Sequence, residues 1–140
     1  MTGRLITRDT DYAVRAIGYF AASGKNVISA AELSENLELP RAFSRKILQL
    51  LRKARLVKSH RGRGGGFSLL KPPEEILLFD LIEVFQGKPE LCKCFFRKSV
   101  CPDAGACVLK RKMDEIEKYV ISELKSVTLA HLAGSAEGKM

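Results

Sequence analysis

Residues 39–73 decide the fold, and they read LPRAFSRKILQLLRKARLVKSHRGRGGGFSLLKPP. This segment contains no Asp or Glu and ten basic side chains, namely Arg41, Arg45, Lys46, Arg52, Lys53, Arg55, Lys58, Arg61, Arg63 and Lys71. The net charge of the whole chain is +8, so these ten charges exceed it and the remaining residues are slightly acidic. Charge concentrated in this way attracts a polyanion such as nucleic acid, whereas the alternative is an ordinary solvated basic face.

The apolar spacing inside this segment predicts a helix with a basic outer face. Its apolar stripe consists of Phe43, Ile47, Leu50, Leu51 and Ala54. A shorter helix is predicted before it, because Ser29 followed by Glu32 is the pattern of a capping box, and Pro40 separates the two helices. An earlier helix, from Asp9 to Ala22 behind a Thr10–Asp11 start signal, is expected to end at Gly24. A short helix, a turn and a basic helix form the order of a helix-turn-helix.

Two short strands are predicted after the basic helix, at residues 56–60 and 67–70. Between them lies the glycine-rich loop Arg61–Gly66, so the segment is predicted to be a β-hairpin, the wing of a winged helix. A nucleotide-binding loop is the alternative reading, but that motif requires a helix after the glycines, and here a strand follows. Residues 72–75, Pro-Pro-Glu-Glu, are predicted to start a further helix that ends at Gly87.

The C-terminal part of the chain is predicted to be one long helix with a narrow apolar seam. The seam consists of Leu109, Met113, Ile116, Val120, Leu124 and Val127, on a helix of about 25 residues. Pairing with the same helix of a second subunit would bury this seam and give a two-fold homodimer. The alternative is that the helix folds back on its own domain.

The predicted fold is therefore mainly α, a winged helix-turn-helix DNA-binding domain with a β-hairpin wing and a long C-terminal dimerisation helix. We divide the chain into a DNA-binding domain at 1–87, a cysteine-bearing loop at 88–107, the dimerisation helix at 108–132 and a disordered tail at 133–140. The partner that this arrangement predicts is a double-stranded DNA operator bound by a homodimer.

The candidate DNA-reading residues lie on the third helix and on the wing. The N-terminal part of the second helix of a helix-turn-helix enters the major groove, which selects Arg41, Ser44, Arg45 and Gln49. Arg45 is the strongest candidate for base reading, because arginine can pair bidentately with guanine. Arg61 and Arg63 lie on a loop of small residues, where they can reach phosphates or a minor groove.

Four cysteines lie close together, at Cys92, Cys94, Cys101 and Cys107. The chain has no apolar run long enough to span a membrane and no apolar signal sequence, so we expect a cytoplasmic protein that makes no membrane contact. In that reducing compartment clustered cysteines bind metal or sense redox state more often than they form structural disulfides. Their spacing is not the paired pattern of a zinc ribbon; an iron-sulfur cluster, a tetrahedral zinc ion or four free thiols all remain open.

A cysteine-dependent enzyme is the alternative from a different class of function. A cysteine nucleophile needs a nearby base, and the histidines of the chain are His60 in the wing and His131 near the C-terminus. Neither forms an obvious dyad with a cysteine. We therefore expect that the chain is not an enzyme and has no catalytic residues.

The motifs described so far occur together in the order of a known family. They are TDYAVRA at 10–16, the helix-turn-helix, LRKARLV at 51–57, RGRGGGF at 61–67, PPEEI at 72–76 and a loop with three cysteines. This order closely resembles the winged-helix regulators that include IscR and NsrR, over about residues 4 to 132. The resemblance implies a homodimeric transcription factor, a repressor in some members. In many members a 2Fe-2S or 4Fe-4S cluster responds to cluster supply, nitric oxide, oxidants or iron.

The resemblance also implies a set of cluster ligands. Cys94, Cys101 and Cys107 match the three family thiolates. The IscR type adds a histidine three residues after the last cysteine, where this chain has Lys110, so that ligand is excluded. The NsrR type adds an aspartate from the first helix of the other subunit, a position that Asp11 occupies, and Cys92 is a rival fourth ligand. A regulator of the same fold with a zinc site or a thiol switch is the alternative function.

Overall fold

The computed structural model describes residues 5–89 and 108–132. Its elements in chain order are α1 (Arg8–Ser23), α2 (Ala30–Leu37), α3 (Arg41–Lys53), β1 (Val57–His60), β2 (Gly66–Leu69), a 3₁₀ turn (Pro73–Glu75), α4 (Leu78–Gln86) and α5 (Val108–Lys125). This order confirms the predicted mainly helical architecture with a β-hairpin and a C-terminal helix.

Side-chain caps set the ends of the first two helices. α1 begins at Arg8, ahead of the predicted start, because the Thr7 hydroxyl oxygen accepts the Thr10 N–H at 3.4 Å. It ends at Gly24, whose φ of +71° is left-handed. At the start of α2 the Ser29 hydroxyl accepts the Glu32 N–H at 3.0 Å, as predicted.

The carboxylate of Glu32 does not complete the capping box, and instead links α1 to α2. It accepts the Tyr19 hydroxyl at 2.6 Å and the Lys25 ammonium at 2.8 Å. Hydrogen bonding to Lys25 and then to Tyr19 lowers the pKa of Glu32, and the bond to Glu32 raises the pKa of Tyr19. The stability that Glu32 contributes is therefore present above its unfolded-state pKa and is lost as the pH falls through its lower folded-state pKa.

Helices α1, α2 and α3 pack around one apolar core that also holds the base of the wing. Its fully buried side chains include Ile17, Leu33, Leu48, Leu51 and Val57. Burial of each such aliphatic side chain contributes about 1.5–3 kcal/mol relative to exposure. The core therefore fixes the angle at which α3 is presented to solvent.

The wing is a β-hairpin that is also hydrogen-bonded to the connection between α1 and α2. Strands β1 and β2 are antiparallel, with Val57 opposite Leu69 and His60 opposite Gly66. Ile28 and Phe67 exchange two backbone hydrogen bonds of 2.8 Å each. A Cβ at Gly66 would lie 2.5 Å from the Ile28 carbonyl oxygen, so a residue without a side chain is required at this crossing.

The predicted helix start at residues 72–75 is wrong. Residues 73–75 form a 3₁₀ turn, Ile76 is extended, and α4 begins only at Leu78. The residues on either side of extended Leu77 bond with a distant part of the chain, because the Ile76 carbonyl accepts the Leu129 N–H at 2.8 Å and the Val127 carbonyl accepts the Leu78 N–H at 2.9 Å. This long-range pairing replaces the first helical turn.

The C-terminal helix also differs from its predicted length. It ends at Lys125, not at 132, and Leu129 lies 1 % exposed in the main core. Leu124 and Val127 pack with α4, so the end of the predicted seam follows the fold-back alternative. The beginning of α5 remains exposed at Val108, Leu109, Ile116 and Tyr119. Within the described ranges, no helix is long and apolar enough to cross a bilayer.

Candidate nucleic-acid interface

The turn between α2 and α3 is held by its own backbone and by one buried serine. Glu38 adopts a left-handed conformation with φ of +54°, which reverses the chain after α2. The Leu39 N–H bonds to the Ser34 carbonyl at 3.0 Å, and the Ser34 hydroxyl donates to the Leu39 carbonyl. These bonds place Pro40 at the N-cap of α3 and set the angle between α2 and α3.

The outer face of α3 is exposed and positively charged. Arg41, Arg45 and Gln49 are all exposed, and their contact with DNA stays a prediction. The first turn of α3 contains no acidic residue, so the positive end of the helix dipole adds to the arginine charges. The Arg52 Nε donates to the Gln49 side-chain oxygen at 3.2 Å, which leaves the amide nitrogen of Gln49 free to donate.

Ser44 is a correction to the predicted DNA-reading set. Its side chain is fully buried, and its hydroxyl has no hydrogen-bond partner among the described residues. The burial follows from helical spacing, because Ser44, Leu48 and Leu51 lie at i, i+4 and i+7 and face the core together. The predicted apolar stripe did not include Ser44 or Leu48. A residue in this position cannot reach a base edge without unpacking α3.

Replacing Ser44 by Ala should stabilise the protein by about 1 kcal/mol, because it removes a buried hydroxyl that makes no hydrogen bond. Chemical denaturation would measure the gain. Ser122→Ala, at an exposed position in α5, is the matched control for helix propensity and should gain only about 0.5 kcal/mol. Equal gains in the two variants, or a loss of DNA affinity in Ser44→Ala, would contradict the core assignment.

The wing presents its two arginines on a tight loop. Arg61 and Arg63 are exposed, and the loop closes through the Gly65 N–H bonded to the Gly62 carbonyl at 3.0 Å. Beside the loop, at the end of β1, the His60 Nε2 and the Ser68 hydroxyl are hydrogen-bonded at 2.8 Å. His60 therefore has a structural partner in the hairpin.

The basic charge of residues 39–73 is largely uncompensated. With respect to the described parts of the chain, Lys46 is the only one of the ten basic side chains that forms a salt bridge, to Asp9 at 3.3 Å. The other nine charges remain available to a polyanion. Such a surface binds phosphate with the release of counterions.

Helix α1 contacts α3 close to the candidate ligand Asp11. The rings of Tyr12 and Phe43 pack edge to face, with centroids 5.4 Å apart, and Lys46 lies 5.8 Å from the Phe43 ring centroid. The Asp11 side chain is 50 % exposed and accepts a salt bridge from the Arg15 Nε at 3.2 Å. Asp11 therefore lies beside Tyr12, which packs against α3, and its carboxylate is accessible to solvent.

The four cysteines, Cys92, Cys94, Cys101 and Cys107, lie outside the described residues, as does the predicted tail at 133–140. Residues 5–89 and 108–132 contain no group of three or more His, Cys, Asp or Glu side chains that could hold a metal ion. The ligand set therefore remains a prediction, and of its members only Asp11 has a described position.

Comparison with known proteins decides the family. The sequence model of the Rrf2 family, described as iron-dependent transcriptional regulators, matches residues 6–135. The chain belongs to the Rrf2 family. This membership confirms the resemblance to the winged-helix regulators that include IscR and NsrR. Because Rrf2 proteins are transcriptional regulators, the expectation that the chain is not an enzyme is also confirmed.

Individual Rrf2 relatives cover almost the whole chain. The transcriptional repressor NsrR of Streptomyces coelicolor is 26 % identical over 135 residues, which are 95 % of this chain and 90 % of that protein. The structure of T. potens IscR is 29 % identical with a TM-score of 0.75, and the match covers 99 % of this chain and 93 % of that one. The oxidised form of Staphylococcus aureus CymR is 25 % identical with a TM-score of 0.71, covering 93 % and 96 %. These matches confirm the winged-helix fold.

Proposed function

We propose that this Rrf2 regulator is a homodimer whose affinity for a double-stranded DNA operator is set by an iron-sulfur cluster, 2Fe-2S or 4Fe-4S. The ligands are Cys94, Cys101 and Cys107, with Asp11 or Cys92 as the fourth. The observation that carries this proposal is the place of Asp11 on α1, because α1 packs through Tyr12 and Phe43 against α3, the proposed recognition helix. We further propose a cytoplasmic repressor, in line with the name of the NsrR relative.

The donor set fits such a group. Clustered thiolates are the usual ligands of iron-sulfur clusters, and the Rrf2 family is described as iron-dependent. The bound cluster would supply iron-thiolate bonds that oxidants, nitric oxide or iron loss can break. When Asp11 acts as a ligand it gives up its salt bridge with Arg15, and when it is not a ligand it keeps that salt bridge. Its neighbour Tyr12 then carries any shift of α1 to Phe43 in α3.

The exposed beginning of α5 supports the dimer. Val108, Leu109, Ile116 and Tyr119 are between 42 % and 74 % exposed, which is unusual for large apolar side chains on one helix. A second copy of the same helix would bury them and place two α3 helices for paired half-sites on DNA.

A zinc site or a thiol switch at the same cysteines is the second candidate. The specific observation in its favour is that S. aureus CymR, a relative of this fold, has been solved in an oxidised form. Both candidates use the same DNA-binding surface and differ only in the chemistry at the cysteines.

A wing contact to the phosphate backbone predicts a change in salt dependence. Arg63→Ala should flatten the slope of log affinity against log salt by about 0.9, because one phosphate is no longer neutralised. Operator titrations at several salt concentrations measure this slope. Arg111→Ala removes the same charge from an exposed position on α5 and should leave the slope unchanged. An unchanged slope in Arg63→Ala would exclude the wing contact.

Replacing Asp11 by Ala separates the two possible fourth ligands. If Asp11 is a ligand, the variant should lose most of its iron and sulfide and should bind the operator as the cluster-free protein does. Iron and sulfide content and operator affinity are measured on the same anaerobic preparation. Arg15→Ala removes the salt-bridge partner of Asp11 and should keep the cluster. Wild-type values for Asp11→Ala in both measurements would assign the fourth position to Cys92.

Native mass spectrometry of protein purified without oxygen tests the proposed function as a whole, because one mass gives both the subunit number and the bound metal and sulfide. A dimer with iron and sulfide increments is the expected result. A dimer that carries only zinc, or no metal after anaerobic reconstitution, would overturn the cluster and support the second candidate. A monomer would overturn the role of α5.

A further inference from the structure

One side chain joins the end of α4 to the start of α1. The side-chain oxygen of Gln86 accepts the Thr7 N–H and the Thr10 hydroxyl, both at 2.8 Å. Its amide nitrogen donates to the Leu5 carbonyl at 3.1 Å. Gln86 is the last residue of α4 and lies more than seventy residues from these partners in sequence.

These three bonds determine both the residue type and its orientation. A backbone N–H can only donate and a backbone carbonyl can only accept, so the amide oxygen must face Thr7 and the amide nitrogen must face Leu5. Thr10 is fully buried and gives its single hydroxyl proton to Gln86. Thr7 is the N-cap of α1, so Gln86 extends the cap that fixes the first turn of the helix.

The first turns of α1 in turn hold the recognition helix. Asp9 forms the salt bridge to Lys46, and Tyr12 packs against Phe43. Both of these α1 residues lie within five positions of the Thr7 cap. Movement of the start of α1 relative to α4 must therefore displace contacts to α3.

We propose that Gln86 is a positioning residue that couples the chain leading into the cysteine segment to the recognition helix, through the first turn of α1. Gln86 stands six residues before Cys92 in the sequence. A rearrangement of the segment that displaces the end of α4 breaks or strains the three bonds, and α1 then releases Tyr12 and Asp9 from α3. The regulatory part of this inference rests on the proposed function, whereas the positioning of α3 by Gln86 does not.

Hydrogen exchange on the cluster-free full chain tests the positioning directly. Gln86→Leu removes all three bonds, and we expect amides in the first turns of both α1 and α3 to exchange about tenfold faster. Gln86→Glu keeps an acceptor for Thr7 and Thr10 and should restore most of the protection. Glu83→Ala, at an exposed position on the same helix, should exchange as the wild type does. Faster exchange confined to α1, or equally fast exchange in α2 and α5, would overturn the inference.

Operator affinity of the same variants tests the regulatory part. We expect the wild type to show different affinities in its metal-loaded and cluster-free forms, and Gln86→Leu to reduce that ratio to within about twofold. A ratio that Gln86→Leu leaves unchanged would overturn the coupling through Gln86. A ratio near one in the wild type would overturn the proposed function instead, and the exchange measurement would still decide whether Gln86 positions α3.

Discussion

Gly66→Ala should destabilise the protein by about 3 kcal/mol and detach the wing from the domain. A Cβ at this position would lie 2.5 Å from the carbonyl oxygen of Ile28 and 2.9 Å from the backbone nitrogen of Ser29. Both neighbours are backbone atoms, so no side-chain rotation can relieve the overlap. The crossing must open, which weakens the two hydrogen bonds between Ile28 and Phe67.

Chemical denaturation measures the loss of stability, and the salt dependence of DNA binding measures the loss of the wing. Gly18→Ala is the control, because a Cβ on Gly18 in α1 meets no atom within 4 Å. Alanine there should stabilise the helix by about 1 kcal/mol. A Gly66→Ala protein as stable as the wild type would contradict the close crossing of the wing and Ile28.

Arg45→Ala should weaken operator binding about thirtyfold, or about 2 kcal/mol, and relax discrimination at one base pair. Arg45 is exposed on the outer face of α3 and forms no salt bridge with any residue in the described ranges. Its guanidinium is therefore available for two parallel hydrogen bonds to a guanine edge.

Binding to the operator and to single-base variants of it separates base reading from simple charge attraction. If Arg45 reads a base, the Arg45→Ala protein loses much more affinity for the operator than for unrelated DNA. Arg111→Ala, with the same charge change on α5, should leave both affinities close to the wild type. An equal loss on all sequences would assign Arg45 to the phosphate backbone.

The sequence predicts those features of the fold that have local causes. The glycine at the end of α1, the serine that caps α2 and the two strands around the glycine-rich loop are each set by neighbouring residues. The basic outer face of α3 follows from the same helical periodicity. The exposure of Arg41, Arg45 and Gln49 is therefore predictable from the sequence.

Apart from the burial of Ser44, which local helical spacing explains, the features that the sequence did not predict depend on distant partners. The extended conformation of Ile76 has its cause about fifty residues away, in the bond to Leu129. The end of α5 at Lys125 has the same cause, because Thr128 pairs with Leu77 just before α4 and the helix is interrupted over residues 126–128. The three hydrogen bonds of Gln86 cannot be predicted from apolar periodicity either, since Gln86 and Thr7 are 79 residues apart in the sequence.

The way α5 is attached also has a mechanical consequence. Residues 120–132 pack with α4, whereas the first dozen residues of the helix are not part of either apolar cluster of the described chain. At 1.5 Å per residue these twelve residues form a lever that extends about 18 Å from the part of α5 that packs with α4. A rotation of about 6° at the anchored end moves the tip by about 2 Å. If the same helices of two subunits pack together in a dimer, a small tilt at their tips would rotate each DNA-binding domain.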